Sequence, residues 1–180
     1  GSHTGGLSAM ELAIRDRRVE NLILAGVTMF SDGDRPDLLS REELLTRYLP
    51  RFDPVWDGSH LLAAWNFRRS FTLYWPWYDR TPTGIRAAPM PNLTDFHRGF
   101  VEFLKGLGSY DIPYRAALEY RTRKRLPLVP NRTIVGTQRD DPLNANTEEA
   151  CRLAPQASPI EFPADLGETA GMIGSFLESK

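Results

Sequence analysis

This 180-residue chain is poor in the side chains that bind transition metals or cross-link a fold: it has one cysteine and three histidines. A lone Cys151 forms no internal disulfide, and no CxxC spacing exists. That points to a reducing compartment, read here as the cytoplasm. Cys151 itself reads as core packing. His3, His60 and His97 lie at none of the spacings that zinc sites use, so no metal or other cofactor is expected. No apolar run reaches the ~18–20 residues that cross a bilayer. No signal peptide or lipidation motif is visible either, so no membrane partner is expected. Neither sign of charge dominates: Lys plus Arg is 22, Asp plus Glu is 23, and the net charge is −1. That balance argues against nucleic acid as a partner. The one basic run, Arg121-Thr122-Arg123-Lys124-Arg125, is assigned to the solvated end of a helix. Internal repeats and low-complexity tracts are also lacking. The apolar fraction of 41% is enough for a substantial globular core.

What is present begins at the first residue. Gly1-Ser2-His3-Thr4-Gly5-Gly6 has the spacing of G-x-S-x-G, a sharp strand-to-helix turn, with histidine where the nucleophilic serine stands. Glycines flank such a turn because strand and helix backbones crowd its apex. The missing lysine and the spacing exclude a P-loop. Leu7, Met10, Ala13 and Ile14 then recur at helical spacing, and Val19 to Val27 reads as a buried strand. Gly-Ser-His is also the triplet that removal of a purification tag leaves behind. On that alternative the helix–strand unit stands and His3 loses its meaning.

Three regions follow from the patterning. Residues 1–30 are turn, helix and strand. Residues 31–126 are helical and aromatic. The capping box Ser40-Arg41-Glu42-Glu43 opens a short helix that Pro50 ends, and a second helix runs from Ser59 to Leu73. Trp75 to Gly84 is broken by Pro76 and Pro82. A third helix starts at Asn92, with Phe96, Phe100, Phe103 and Leu104 on one face, and a fourth runs from Ser109 to Arg125. Asp57 is an N-cap or turn residue before the second helix. Residues 127–180 return to strand Thr133–Gly136, helix Thr147–Leu153, strand Pro159–Phe162 and helix Glu168–Leu177. Strands alternating with helices specify an α/β fold with a parallel sheet, here interrupted by a helical cap.

In this order the pieces resemble the C-terminal portion of the alpha/beta-hydrolase superfamily, over nearly the whole chain. The matching residues are Gly1 to Gly6, the strand Leu22-Ile23-Leu24-Ala25-Gly26, the cap, and the block from Val129 to Pro142. The resemblance implies that this block presents the triad acid, with Asp141 before Pro142 the first choice and Asp140 the alternative. It also implies that the strands preceding the elbow belong to a missing N-terminal half or to a partner, a homo-oligomer among the options. The chain departs from the family at two places. Histidine replaces the elbow serine, and Phe162 to Glu168 lacks the histidine that serves as triad base. The usual Ser–His–Asp assembly is therefore not expected.

The expected substrate is a small organic molecule with an apolar body and an ester-like carbonyl. His3 is the candidate base, nucleophile or hydrogen-bond donor to the substrate carbonyl, with Asp141 its orienting acid; the competing role is a vestigial elbow in which His3 only fills space. His60, Trp65, Arg69 and Trp77 are candidate substrate-binding residues. For Trp65 core packing is the competing role, and for Arg69 or Arg68 an ion pair with Glu102. Phe71, Tyr74, Trp75, Trp77 and Tyr78 form either a lid over an apolar pocket or a docking surface. The alternatives are a catalytically inactive relative that binds a ligand or a partner, or a truncated fragment.

Overall fold

The computed structural model describes residues 1–29 and 49–179. The capping box at 40–43 and the polar loop at 31–36 lie outside the described residues. The chain divides into two compact units, Gly1–Arg35 with Ala117–Lys180, and Pro36–Ala116.

The first unit is α/β. Its elements are α1 (Thr4–Arg15), β1 (Asn21–Ala25), β2 (Arg132–Thr137), α6 (Thr147–Leu153), β3 (Ala157–Glu161) and α7 (Leu166–Glu178). The three strands form one parallel sheet in the order β1-β2-β3, with Ile23 opposite Ile134 and Val135 opposite Pro159. Strand β2 is central, and Thr133 to Thr137 are all buried. Parallel strands covered on both faces read as continuous apolar runs, which is why Thr133-Ile134-Val135-Gly136 is legible as a strand. In β1 burial alternates, Leu22 and Leu24 being inside. Pro159 has no N–H to donate; among the described residues β3 pairs only with β2, so the proline sits on an edge strand, where it is tolerated.

Helix α1 turns Leu7, Met10 and Ala13 inward, as their spacing predicts, and Met10, Leu24 and Val135 are fully buried in one core. Each such side chain contributes about 1.5–3 kcal/mol by leaving water. Cys151 packs against the rim of this core, and burial raises its thiol pKa.

The second unit carries α2 (Ser59–Leu73), α3 (Leu93–Lys105) and the first part of α4 (Asp111–Glu119), which crosses the boundary between the units. Asn92 caps α3 by accepting from the Asp95 N–H at 2.9 Å. Before α2 the left-handed Gly58 takes the cap position. Asp57 makes a turn instead, its Oδ1 accepting from the Ser59 N–H at 2.9 Å. Trp75–Pro76 is a cis peptide bond, and Tyr74 bridges Ile85 in antiparallel fashion.

Two expectations are corrected. The helix predicted from Ser109 to Arg125 is two pieces, α4 and the short α5 (Thr122–Arg125), with a break at Tyr120-Arg121. Tertiary bonds win over helical continuity there. The Tyr120 hydroxyl donates to Glu11 at 2.6 Å, and the Thr122 hydroxyl donates to the Thr28 carbonyl at 2.8 Å. The basic run is also more than a solvated helix end. Arg123 pairs with Glu149 and Arg125 with Glu11, each at 2.7 Å and each partly buried.

Candidate functional site

The site is built at one corner of the sheet. Gly1 and Ser2 run parallel to the end of β1: Ser2 bridges Ala25, the Ala25 N–H donates to the Gly1 carbonyl, and the His3 N–H donates to the Ala25 carbonyl, both at 2.9 Å. The chain then reverses into α1 within one residue. His3 is that residue, and it is the one non-glycine with positive φ among the described residues, at φ 49° and ψ −118°. A side chain in such a backbone conformation costs about 1–3 kcal/mol. The first two elbow glycines differ in what they do. A Cβ on Gly1 would stand 2.4 Å from the Gly5 carbonyl oxygen, whereas one on Gly5 would meet nothing.

His3 occupies the N-cap position of α1 but makes no side-chain cap bond. Its imidazole is spent elsewhere. Nε2 lies 2.8 Å from Oδ2 of Asp141, across 138 residues of sequence. The side chains are 49% and 18% exposed, so the pair is open to solvent on the histidine side and sheltered on the carboxylate side. Asp141 follows β2 and caps the 3-10 turn Pro142–Asn146, its Oδ1 accepting from the Leu143 N–H at 2.8 Å. Both carboxylate oxygens are therefore engaged, one by the backbone and one by the imidazole. His3 lies beside the C-terminal end of β1 and Asp141 in the loop after the C-terminal end of β2, the end at which open parallel sheets bind ligands. Asp140 is exposed, and the imidazole contact goes to Asp141.

The four candidate substrate-binding residues all belong to the second unit. Trp77 is buried at 3% exposure and stacks on Phe71, with ring centroids 4.8 Å apart and planes at 8°. Trp65 packs edge-on against Phe96 at 4.7 Å and Phe100 at 4.9 Å. His60 accepts the Val55 N–H on Nδ1 at 3.2 Å, and Arg69 is exposed. Glu102 pairs with Lys105 at 2.6 Å.

Sequence reading missed Gly26. It has φ 77°, and a Cβ built on it would stand 2.7 Å from Cδ2 of His3. The signal was available as a glycine at the end of a strand beside a turn, but the partner ring comes from a different element. Among the described residues no cluster of three or more His, Cys, Asp or Glu side chains is placed to hold a metal ion. No described helix is long and apolar enough to cross a membrane.

No family model and no curated protein matches the chain. Among solved structures, it resembles Rv0554 from Mycobacterium tuberculosis with a TM-score of 0.50 and 15% identity, over 100% of this chain. The chain spans 65% of the length of that protein. At this identity the likeness is one of α/β fold.

Proposed function

We propose that the chain is an alpha/beta-hydrolase-fold protein acting on a small ester-like carbonyl compound, with a His3–Asp141 dyad in place of the Ser–His–Asp triad. The observation that carries this reading is the 2.8 Å contact between His3 Nε2 and Asp141 Oδ2, made by a histidine held at a positive-φ turn between an extended segment and a helix. A surface histidine has no need of a strained backbone. Strain of this kind is stored where a side chain must point in one direction. A carboxylate behind the ring orients it and stabilises the imidazolium formed on proton abstraction. With histidine at the apex, the dyad activates water or removes a proton from the substrate.

The test is hydrolysis of p-nitrophenyl acetate and longer-chain homologues by the wild-type chain and by His3→Ala. General-base catalysis contributes about 10²–10⁴-fold, so His3→Ala should lose at least the lower figure. A serine-directed fluorophosphonate should label neither protein. Equal rates for both proteins at every chain length would refute the reading and leave ligand binding without turnover as the alternative.

A further inference from the structure

Resting on that reading, we infer that His3 works through Nδ1 and that Gly26 is the positioning residue that makes this possible. The two ring edges have different surroundings. The Cδ2–Nε2 edge is enclosed: a Cβ on Gly26 would lie 2.7 Å from Cδ2, 3.1 Å from Nε2 and 3.4 Å from Cδ1 of Leu143. Asp141 closes the same edge, with Oδ2 on Nε2 and Oδ1 on the Leu143 N–H. Leu143 is itself buried, and the Gly26 N–H is tied to the Gly136 carbonyl at 2.8 Å, so the wall is fixed by β2 and its following turn. The opposite edge carries Nδ1, which has no hydrogen-bond partner among the described residues, on a side chain that is 49% exposed.

The chemistry follows from the donor inventory. An ionised carboxylate only accepts, so the Nε2 that faces it must carry the proton. In the neutral ring the lone pair is then on Nδ1, at the open edge. When Nδ1 takes a proton from water or substrate, the positive charge spreads to Nε2–H and is met by Asp141. The proton count balances with no further group.

Gly26 sets the geometry because any other residue places a Cβ 2.7 Å from the ring, closer than a Cβ contact allows. Its own φ of 77° also favours glycine. Leu143 completes the wall, its Cδ1 lying 3.4 Å from the same Cβ position.

The experiment is a long-range ¹H–¹⁵N correlation spectrum of the full chain labelled with ¹⁵N-histidine, at a pH where the rings are neutral. The His3 signals are assigned by their loss in His3→Ala. The expected result is the Nε2–H tautomer at His3 in the wild type. A shift toward the Nδ1–H tautomer is expected in Asp141→Asn, whose amide offers a donor to Nε2. In Gly26→Ala the His3 signals should average toward those of a free histidine, with at least a 10-fold loss of kcat wherever esterase activity is present. An Nδ1–H tautomer in the wild type overturns the inference. So does a Gly26→Ala spectrum in which the His3 signals are unchanged. The tautomer reads out without turnover, so a protein that hydrolyses no ester still tests the orientation, and an active protein with the opposite tautomer sinks the orientation alone.

Discussion

His3 and Asp141 meet at 2.8 Å although α1, β1, the whole second unit and β2 lie between them in sequence. Their meeting depends on the parallel register that puts Ala25 opposite Gly136. Asp141→Asn isolates the charge of this pair. The asparagine keeps an oxygen for the Leu143 N–H, so the turn Pro142–Asn146 should hold and stability should change by no more than about 0.5 kcal/mol. Activity toward activated esters should fall by about 10²-fold or more, because the ring loses the acceptor that fixes its tautomer. The check is paired thermal melts and initial rates. A variant with lowered Tm and proportionate residual activity would mean that Asp141 is only a cap.

The backbone at His3 gives a prediction of opposite sign. Glycine reaches φ 49° without the Cβ penalty, and the imidazole makes one exposed polar contact in exchange. His3→Gly should therefore be more stable than His3→Ala by about 1–2 kcal/mol, and no less stable than the wild type. Both variants should lack His3-dependent activity. Urea unfolding midpoints of the three proteins decide it. Equal midpoints for the glycine and alanine variants would mean that the turn relaxes to negative φ in solution.

Much of this was legible in the chain. The period of Leu7, Met10 and Ala13 specifies α1, and the run Thr133-Ile134-Val135-Gly136 specifies the central strand. Helix α2 runs from Ser59 to Leu73 as read, and α3 begins one residue after Asn92, where its start was expected. These are local signals. What stayed hidden depends on partners distant in sequence. Nothing near Tyr120 announces that Glu11 will break its helix, and nothing near Gly26 announces the ring of His3. The start of α7 was legible and missed: Asp165 accepts from the Glu168 N–H at 2.9 Å, a cap that moves the helix start to Leu166. Of the candidate site, His3 and Asp141 are brought together within one unit, while the other four are each accounted for by contacts inside the second unit or by exposure.

Glu11 is the hub of the contact between α1 and α5. It accepts from Tyr120, Arg15 and Arg125, and its carboxyl is pulled down to about 2. The Tyr120 hydroxyl is the largest cause; burial opposes it, and the two arginines add to the lowering. The folded pKa lies below the ordinary glutamate value of 4.5. The carboxylate's contribution is therefore complete above pH 4.5 and is lost as pH falls from there toward 2. Glu11→Gln should cost about 1–2 kcal/mol at pH 7 and flatten the acid limb of stability between pH 4.5 and 2. Chemical denaturation at pH 7, 4.5 and 3 measures both. A cost that is the same at pH 7 and pH 3 would remove Glu11 from the acid response.

Trp77 and Trp56 are opposites in exposure, and the sequence treats both simply as aromatics near prolines. Trp77 is 3% exposed and lies face to face with Phe71 at 4.8 Å, with Tyr78 edge-on at 5.2 Å. Trp56 is fully exposed. Truncating a buried indole removes its transfer energy and leaves a cavity that neighbouring rings close only in part. Trp77→Ala should thus cost about 3–5 kcal/mol. Trp56→Ser should stay within about 0.5 kcal/mol of the wild type. Emission spectra separate the two residues independently of stability, since loss of Trp56 removes red-shifted, readily quenched fluorescence and loss of Trp77 does not. Wild-type stability for Trp77→Ala, with the cost falling on Trp56 instead, would remove Trp77 from the aromatic core of the second unit and favour its role as a substrate contact.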